Sequence, residues 1–261
     1  MGRPVIGMLH LPPLPGAPRY EGSLDALNRR VLADAAALVE GGISQLMLEN
    51  FGDAPFYPAA VPAHVIAHMT ALAAEVKRRF DLPLGINVLR NDGCGALSVA
   101  HAVGAQFIRV NVLCGARIAD QGILPGIAHQ LLRLRKRLGA EHIRILADVD
   151  VKHSAPLGDP DSQNEVDDLI HRGLADALIV TGTATGAAVS AQQLRIVQQA
   201  AGDHPVYVGS GVTAESIGRL SGEADGFIVG SWLKRDGVVS NPVDPDRVRA
   251  LVQQANQVPS P

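Results

Sequence analysis

Residues 205–237 read PVYVGSGVTAESIGRLSGEADGFIVGSWLKRDG. The apolar run Val206–Val208 ends in a glycine-serine turn, and Thr213 can cap a helix carrying Ile217 and Leu220. A second apolar run, Phe227–Val229, ends in a second glycine-serine turn. A strand, a helix and a strand in so short a span imply parallel pairing, because the helix carries the chain back to where the next strand must start. Towards the N-terminus the same unit recurs. Apolar runs lie at Val5–Leu9, Ile43–Leu48, Leu84–Leu89, Phe107–Val112, Ile143–Val151 and Ala177–Val180, and helical stripes separate them. The clearest stripe is Leu24, Leu27, Val31, Ala35 and Leu38, opened by Ser23 and stopped by Gly41-Gly42. Eight strand-helix units in 261 residues predict an α/β fold, a (β/α)8 TIM barrel forming one domain over residues 1–261. The competing open doubly wound sheet would need a glycine fingerprint after its first strand, which is missing.

Composition narrows the function classes. The hydrophobic fraction of 47% supports a sizeable core and excludes a disordered chain. Lys and Arg number 23 against 26 Asp and Glu, a net charge of −3, which argues against nucleic acid as a partner. Aromatic residues are 3%, too few for a base-stacking platform. Two cysteines, Cys94 and Cys114, make neither a disulfide framework nor a zinc site. No run approaches the roughly 18 apolar residues of a transmembrane segment, and no signal peptide is legible, so a cytoplasmic protein is expected. A homo-oligomer is open, dimers being the commonest assembly.

In a barrel the chemistry collects where the strands end. Polar residues stand there on nearly every run: His10; Glu49 and Asn50; Asn87, Arg90, Asn91 and Asp92; Arg109 and Asn111; Asp148, Asp150, Lys152 and His153; Thr181, Gly182 and Thr183; Ser210; Ser231. A buried parallel strand is otherwise nearly all apolar, so this recurrence predicts a polar cup that takes a small molecule. Gly209, Ser210 and Gly211 after the seventh run and Gly230 and Ser231 after the eighth fit a phosphate site, with Ser231–Arg235 as a short extra helix. The bland alternative is a pair of tight turns with capping serines.

Asp148, Asp150 and Lys152 recur at every second position, which places all three on one face of the fifth strand. Paired carboxylates suit acid-base work or a divalent cation such as Mg2+, although no fixed metal-ligand motif is present. Lys152 can serve as proton donor, phosphate partner or Schiff-base nucleophile. A structural salt-bridge ladder is the competing account. His10 and Glu49 are acid-base candidates, with hydrogen bonding and loop capping as alternatives. Asn87, Arg109 and Asn111 read as orienting groups, and Arg109 can equally pair with Asp148 or Glu49. Thr181 and Gly182 complete the expected substrate contacts. The loop ATGAAVS, residues 184–190, can wrap a ligand or be an ordinary turn. Cys114 lacks a histidine-acid partner set, and RLRKRL, residues 133–138, reads as a solvated helix face.

The segments GMLHLPPLPGAPRY (7–20), ENFGDAPF (49–56), GINVLRND (85–92), FIRVNV (107–112), DQGI (120–123), ADVDVKHSAPL (147–157), VGSGV (208–212) and IVGSWLKRDG (228–237) resemble the BtpA/SgcQ family over essentially the whole chain. The resemblance implies a barrel akin to the ribulose-phosphate-binding barrels. One member gave the family its name as a factor in photosystem I biogenesis, and others lie with sugar-utilisation genes and carry nucleosidase labels. Positions matching the motifs are His10, Glu49, Asn50, Asp53, Asn87, Arg90, Asn91, Asp92, Arg109, Asn111, Asp120, Gln121, Asp148, Lys152 and His153. Cys94 and Cys114 depart from the pattern.

Residues and resemblance together predict an enzyme of isomerase, lyase or nucleosidase type acting on a small phosphorylated sugar or nucleoside. The expected catalytic set is His10, Glu49, Asp148, Asp150 and Lys152. A non-catalytic assembly factor for photosystem I or another membrane complex is the main alternative, and a barrel that only senses a phosphorylated metabolite is the third.

Overall fold

The structure, a computed structural model, describes residues 3–158, 161–182 and 185–257; Thr183, expected at a strand end, lies outside them. The parallel strands β1 (Val5–His10), β2 (Gln45–Glu49), β3 (Leu84–Asn87), β4 (Phe107–Val110), β7 (Arg144–Asp148), β9 (Ala177–Val180), β10 (Val206–Val208) and β11 (Gly226–Val229) close into a barrel in the order β1-β11-β10-β9-β7-β4-β3-β2. These are the eight apolar runs read from the sequence. Helices between them form the outer layer: α1 (Leu24–Glu40), α2 (Ala63–Arg79), α3 (Gly93–Val103), α4 (Ala128–Arg137), α5 (Ser162–Asp167), α6 (Ala191–Ala201), α7 (Ala214–Leu220) and α8 (Pro245–Asn256).

The helix ends follow from local chemistry. Ser23 accepts from the Ala26 N–H, Asp92 from the Gly95 N–H at 2.7 Å, and Thr213 forms a capping box with Ser216. Leu27, Val31, Ala35 and Leu38 put one face of α1 into the core that joins helices to barrel. A separate cluster fills the barrel interior: Ile6, Met8, Met47, Phe107, Leu146, Ala177, Ile179, Tyr207 and Ile228. Large interior rings stand where a neighbour has no side chain. A Cβ on Gly85 would lie 2.0 Å from the Phe107 ring, and one on Gly226 2.3 Å from Tyr207.

Three features differ from the sequence reading. The chain after β4 leaves the barrel as a hairpin, β5 (Ala116–Ala119) and β6 (Gly122–Pro125), which pairs antiparallel with β8 (Ser154–Pro156). Its strands are short and half exposed, so no apolar run announces them. The fifth barrel strand stops at Asp148, so Asp150 and Lys152 lie in the following turn and do not share a strand face with Asp148. In place of one extra helix over Ser231–Arg235 there are two 3-10 turns, Ser231–Leu233 and Arg235–Gly237, between which Lys234 bridges to Val243.

Candidate active site

Barrel register sets one wall of the site. His10 pairs with Glu49 and Glu49 with Asn87, so three adjacent strands end on polar residues at one level, directly above the Met8-Met47-Gly85 layer. The Glu49 carboxylate accepts from Asn87 Nδ2 at 2.6 Å through one oxygen and lies 3.6 Å from His10 Nε2 through the other. His10 packs against Phe51 with ring centroids 4.7 Å apart, and its Nδ1 is buried without a partner. Burial, followed by the nearby positive charges of Lys234, Lys152 and Arg109, pushes the His10 imidazolium well below its ordinary range. His10 is therefore neutral at neutral pH. The field that disfavours a proton on it also favours a bound anion.

His10, Glu49 and Phe51 line an open cavity of about 190 Å3 over the C-terminal mouth of the barrel. Its lining includes the side chains of His10, Glu49, Phe51, Arg109 and Lys152. Gly209, Ser210 and Gly211 after β10, with Gly230 and Ser231 after β11, line it too, Gly230 lying directly beside His10. The three glycines can present only backbone, and each stands where a side chain has no room. A Cβ at Gly209 would lie 2.4 Å from Ile179, at Gly211 2.4 Å from the Ala187 carbonyl, and at Gly230 2.6 Å from His10. Gly211 also has φ of +67°.

Lys152 is the cation of the cavity that lacks a fixed carboxylate partner. No hydrogen bond to its Nζ occurs among the described residues. Burial lowers its pKa to about 8, with Arg109 and Arg90 acting in the same direction and Glu49 and Asp148 against it. Arg109 also faces the cavity, but its charge is matched. It donates from Nε to Asp148 Oδ1 at 2.9 Å and from Nη2 to Oδ2 at 3.0 Å, a fully buried bidentate pair. Asn111 donates to the same carboxylate at 2.7 Å.

The remaining expected site residues stand behind the cavity. Asp148, Asn111 and Asn87 are braces for Arg109 and Glu49. Asp150 turns away, pairing with Arg117 and accepting from Gln193 at 3.2 Å, so it does not share a wall with Lys152. Thr181 donates to the Asp150 carbonyl at 2.6 Å. Ser210 lines the cavity, yet its hydroxyl accepts from the Gly182 N–H at 2.6 Å and donates to the Ala187 carbonyl at 3.0 Å. Its role is to tie two strand ends together more than to offer a free donor. Glu49, Asp148 and Asp150 thus have three separate sets of partners. Among the described residues no three His, Cys, Asp or Glu side chains group as ligands for a divalent cation. Both cysteines are free, and burial pushes the Cys114 thiol up to about 11, against a nucleophilic role.

Two neighbours of the site escape sequence reading. Phe51 sits within a polar turn, and its aromatic character alone does not say that it meets His10. Lys234 is fully buried and bonded to Asp34 at 2.9 Å, with Asp34 also accepting from the Val243 N–H. That pair locks the turn after Ser231 to α1, and its members stand too far apart in the chain for any local pattern to link them.

The BtpA family model matches residues 1–257. An uncharacterized protein of Thermococcus kodakarensis is 47% identical over 256 residues, covering 98% of this chain and 96% of that protein. The photosystem I biogenesis protein BtpA of Synechocystis is 46% identical over 250 residues, covering 96% and 87%. An uncharacterized mitochondrial protein of Caenorhabditis elegans is 32% identical over 258 residues, covering 97% and 92%. Among solved structures, KGPDC from Streptococcus mutans superposes with a TM-score of 0.62 at 10% identity, covering 99% of both chains. N-(5'-phosphoribosyl)anthranilate isomerase from Pyrococcus furiosus does so with a TM-score of 0.57 at 15% identity, covering 98% and 100%. Identities this low support the fold alone. No helix among the described residues is long and apolar enough to cross a membrane.

Proposed function

The chain belongs to the BtpA family, and we propose that it is an enzyme acting on a small phosphorylated sugar or nucleoside. The observation that carries this reading is one cavity lined by two unlike sets of residues: the backbone of Gly209, Gly211 and Gly230, and the ionisable Lys152, Glu49 and His10. The phosphoryl group lies in the glycine corner and the reacting carbon near Lys152 and Glu49. Anchoring the phosphoryl group away from the reacting centre turns binding energy into orientation.

With a pKa of about 8, Lys152 is mostly ammonium at neutral pH and can protonate or stabilise oxygen on which negative charge develops. Glu49, oriented by Asn87, is the base. Neutral His10 orients Glu49 and offers a hydrogen bond without adding charge. This division of labour suits isomerisation, retro-aldol cleavage or release of a base from a ribosyl phosphate. Structural neighbours named as a phosphoribosyl anthranilate isomerase support a phosphorylated substrate by fold analogy only.

A panel of sugar phosphates and nucleoside monophosphates, each beside its dephosphorylated counterpart, tests the reading by thermal shift and by NMR detection of products. Stabilisation by the phosphorylated member alone, with turnover of at least one compound, is expected. If no phosphorylated compound outperforms its counterpart, the reading fails.

A second reading, an assembly factor for photosystem I or another membrane complex, draws on the name of the Synechocystis relative and on Ile118, Ile123 and Leu157, exposed by 45%, 60% and 55% at the antiparallel sheet. It gives the ionisable cavity no task. The nematode relative belongs to an animal without photosystems, so a photosystem I role does not extend to it. Co-purification of membrane-complex subunits that is abolished by Ile123→Asp and survives Gly230→Val would favour it.

A further inference from the structure

We propose that Arg117, on the hairpin outside the barrel, is a positioning residue for Lys152; the proposal rests on the reading of Lys152 given above. Lys152 lies in a turn that no barrel ladder covers, between the end of β7 at Asp148 and the start of β8 at Ser154. An amine on a flexible four-carbon chain, with no hydrogen bond of its own, depends on its backbone for its place. That backbone is clamped from the hairpin. Register pairs Ala119 with Ser154, Ile118 with Ala155 and Arg117 with Pro156. The Arg117 guanidinium then reaches back along the turn. It donates from Nε to Ser154 Oγ at 2.9 Å, from Nη2 to Asp150 Oδ1, and from Nη1 to Glu165 Oε1 on α5 at 3.3 Å.

Asp150 and Ser154 are the second residues on either side of Lys152. Ser154 Oγ in turn donates to the Val151 carbonyl at 2.5 Å, and Arg90 Nη2 donates to the Lys152 carbonyl at 2.5 Å. Positions 150, 151, 152 and 154 are therefore held by these side-chain hydrogen bonds, and His153 Nε2 accepts from the Thr185 N–H at 3.2 Å. His153 also has φ of +58°, a left-handed conformation that a non-glycine residue keeps only when its surroundings over-determine it. Arg117 is buried, so its loss leaves Asp150 and Glu165 without their shared cation and unties both ends of the turn.

The charged groups that act on the Lys152 amine are Arg109, Glu49, Asp148 and Arg90, and the amine acts in turn on His10 and His153. Arg117 is not among them. A change in Lys152 on replacing Arg117 must therefore travel through the turn and not through direct charge interaction. Relaxing the turn lets the amine reach water, which weakens the burial that holds its proton loosely.

The experiment is NMR titration of protein carrying 13C-ε-labelled lysine, with the Lys152 signal assigned by its loss in Lys152→Met. In the parent chain the signal should titrate near pH 8. Arg117→Gln and Asp150→Asn should each move the midpoint up by roughly one pH unit or more, and Arg117→Lys should restore part of the difference. Circular dichroism reports whether each variant is folded. If Arg117→Gln does not fold, Asp150→Asn decides, because its half-exposed side chain makes loss of the fold unexpected. Folded variants whose Lys152 titrates as in the parent would overturn the proposal. The readout needs no substrate, so failure of the phosphorylated panel would remove the functional reading while leaving the positioning result standing.

Discussion

Arg109 and Asp148 meet through two parallel hydrogen bonds of 2.9 and 3.0 Å beneath the cavity, with neither side chain reaching bulk water. The pairing decides the part each can play. Asp148 is a brace for a guanidinium and not a free base, and Arg109 brings little net charge to a ligand. Asp148→Asn leaves that guanidinium buried without a counter-charge and should destabilise the fold by about 3–5 kcal/mol. Replacing the pair with Arg109→Met and Asp148→Leu together should recover most of the loss. Urea unfolding measures both. An Asp148→Asn protein as stable as the parent would show that the pair does not hold the barrel mouth.

Lys152 links stability to pH in a direction opposite to that of a salt-bridged lysine. Its folded pKa is about 8 and its unfolded value is that of an ordinary lysine. Between these values the unfolded chain binds the additional proton, so this group's contribution makes stability rise with pH through that window. Below it, burying the ammonium is unfavourable. Lys152→Met should therefore stabilise the protein at pH 7, by on the order of 1–2 kcal/mol, with the advantage fading above about pH 10. Turnover should vanish in the same variant. Thermal unfolding from pH 6 to pH 10 provides the check, and a Lys152→Met chain less stable than the parent at pH 7 would contradict it.

His10 should not titrate across the physiological range. Burial and three neighbouring cations hold its imidazolium well below the ordinary value. Its ring signals in 15N NMR should stay those of the neutral form from about pH 8 down to about pH 6, through the interval where an ordinary histidine protonates. His10→Gln should keep the fold, since the amide is neutral like the imidazole it replaces, and lower turnover, since the ring beside Glu49 and Phe51 is lost. An imidazolium signal for His10 near pH 6.5 would show that the site is wetter or less positive than its geometry implies.

The glycine corner should tolerate no side chain. Gly230→Ala puts a methyl 2.6 Å from His10, and Gly211→Ala puts one 2.4 Å from the Ala187 carbonyl at a φ of +67°. Each should weaken binding of inorganic phosphate by about tenfold or more, equivalent to at least about 1.4 kcal/mol. Gly211→Ala should also lower stability by about 1–2 kcal/mol, because an L-residue is strained in the left-handed region. Calorimetric titration with phosphate distinguishes the corner from the rest of the cavity. Unchanged affinity in both folded variants would move the anion site elsewhere.

The barrel is legible from the order of the residues alone. Apolar runs and helical stripes alternate strongly because each strand is buried on both faces and each helix on one, and that pattern is local. It also placed His10, Glu49 and the two glycine-serine corners at strand ends, since strand ends can be counted along the chain. Which polar residues share a cavity is fixed by the folded arrangement and not by local pattern. The apparent period of Asp148, Asp150 and Lys152 breaks because the strand stops at Asp148, leaving Asp150 to Arg117 and Lys152 to the cavity. Hydrogen bonds and ion pairs join residues far apart in sequence, as Arg117 joins Asp150 and Lys234 joins Asp34. Periodicity records which face of an element is buried, whereas the partner of a buried charge is fixed only when the ring of strands closes and brings distant ends together.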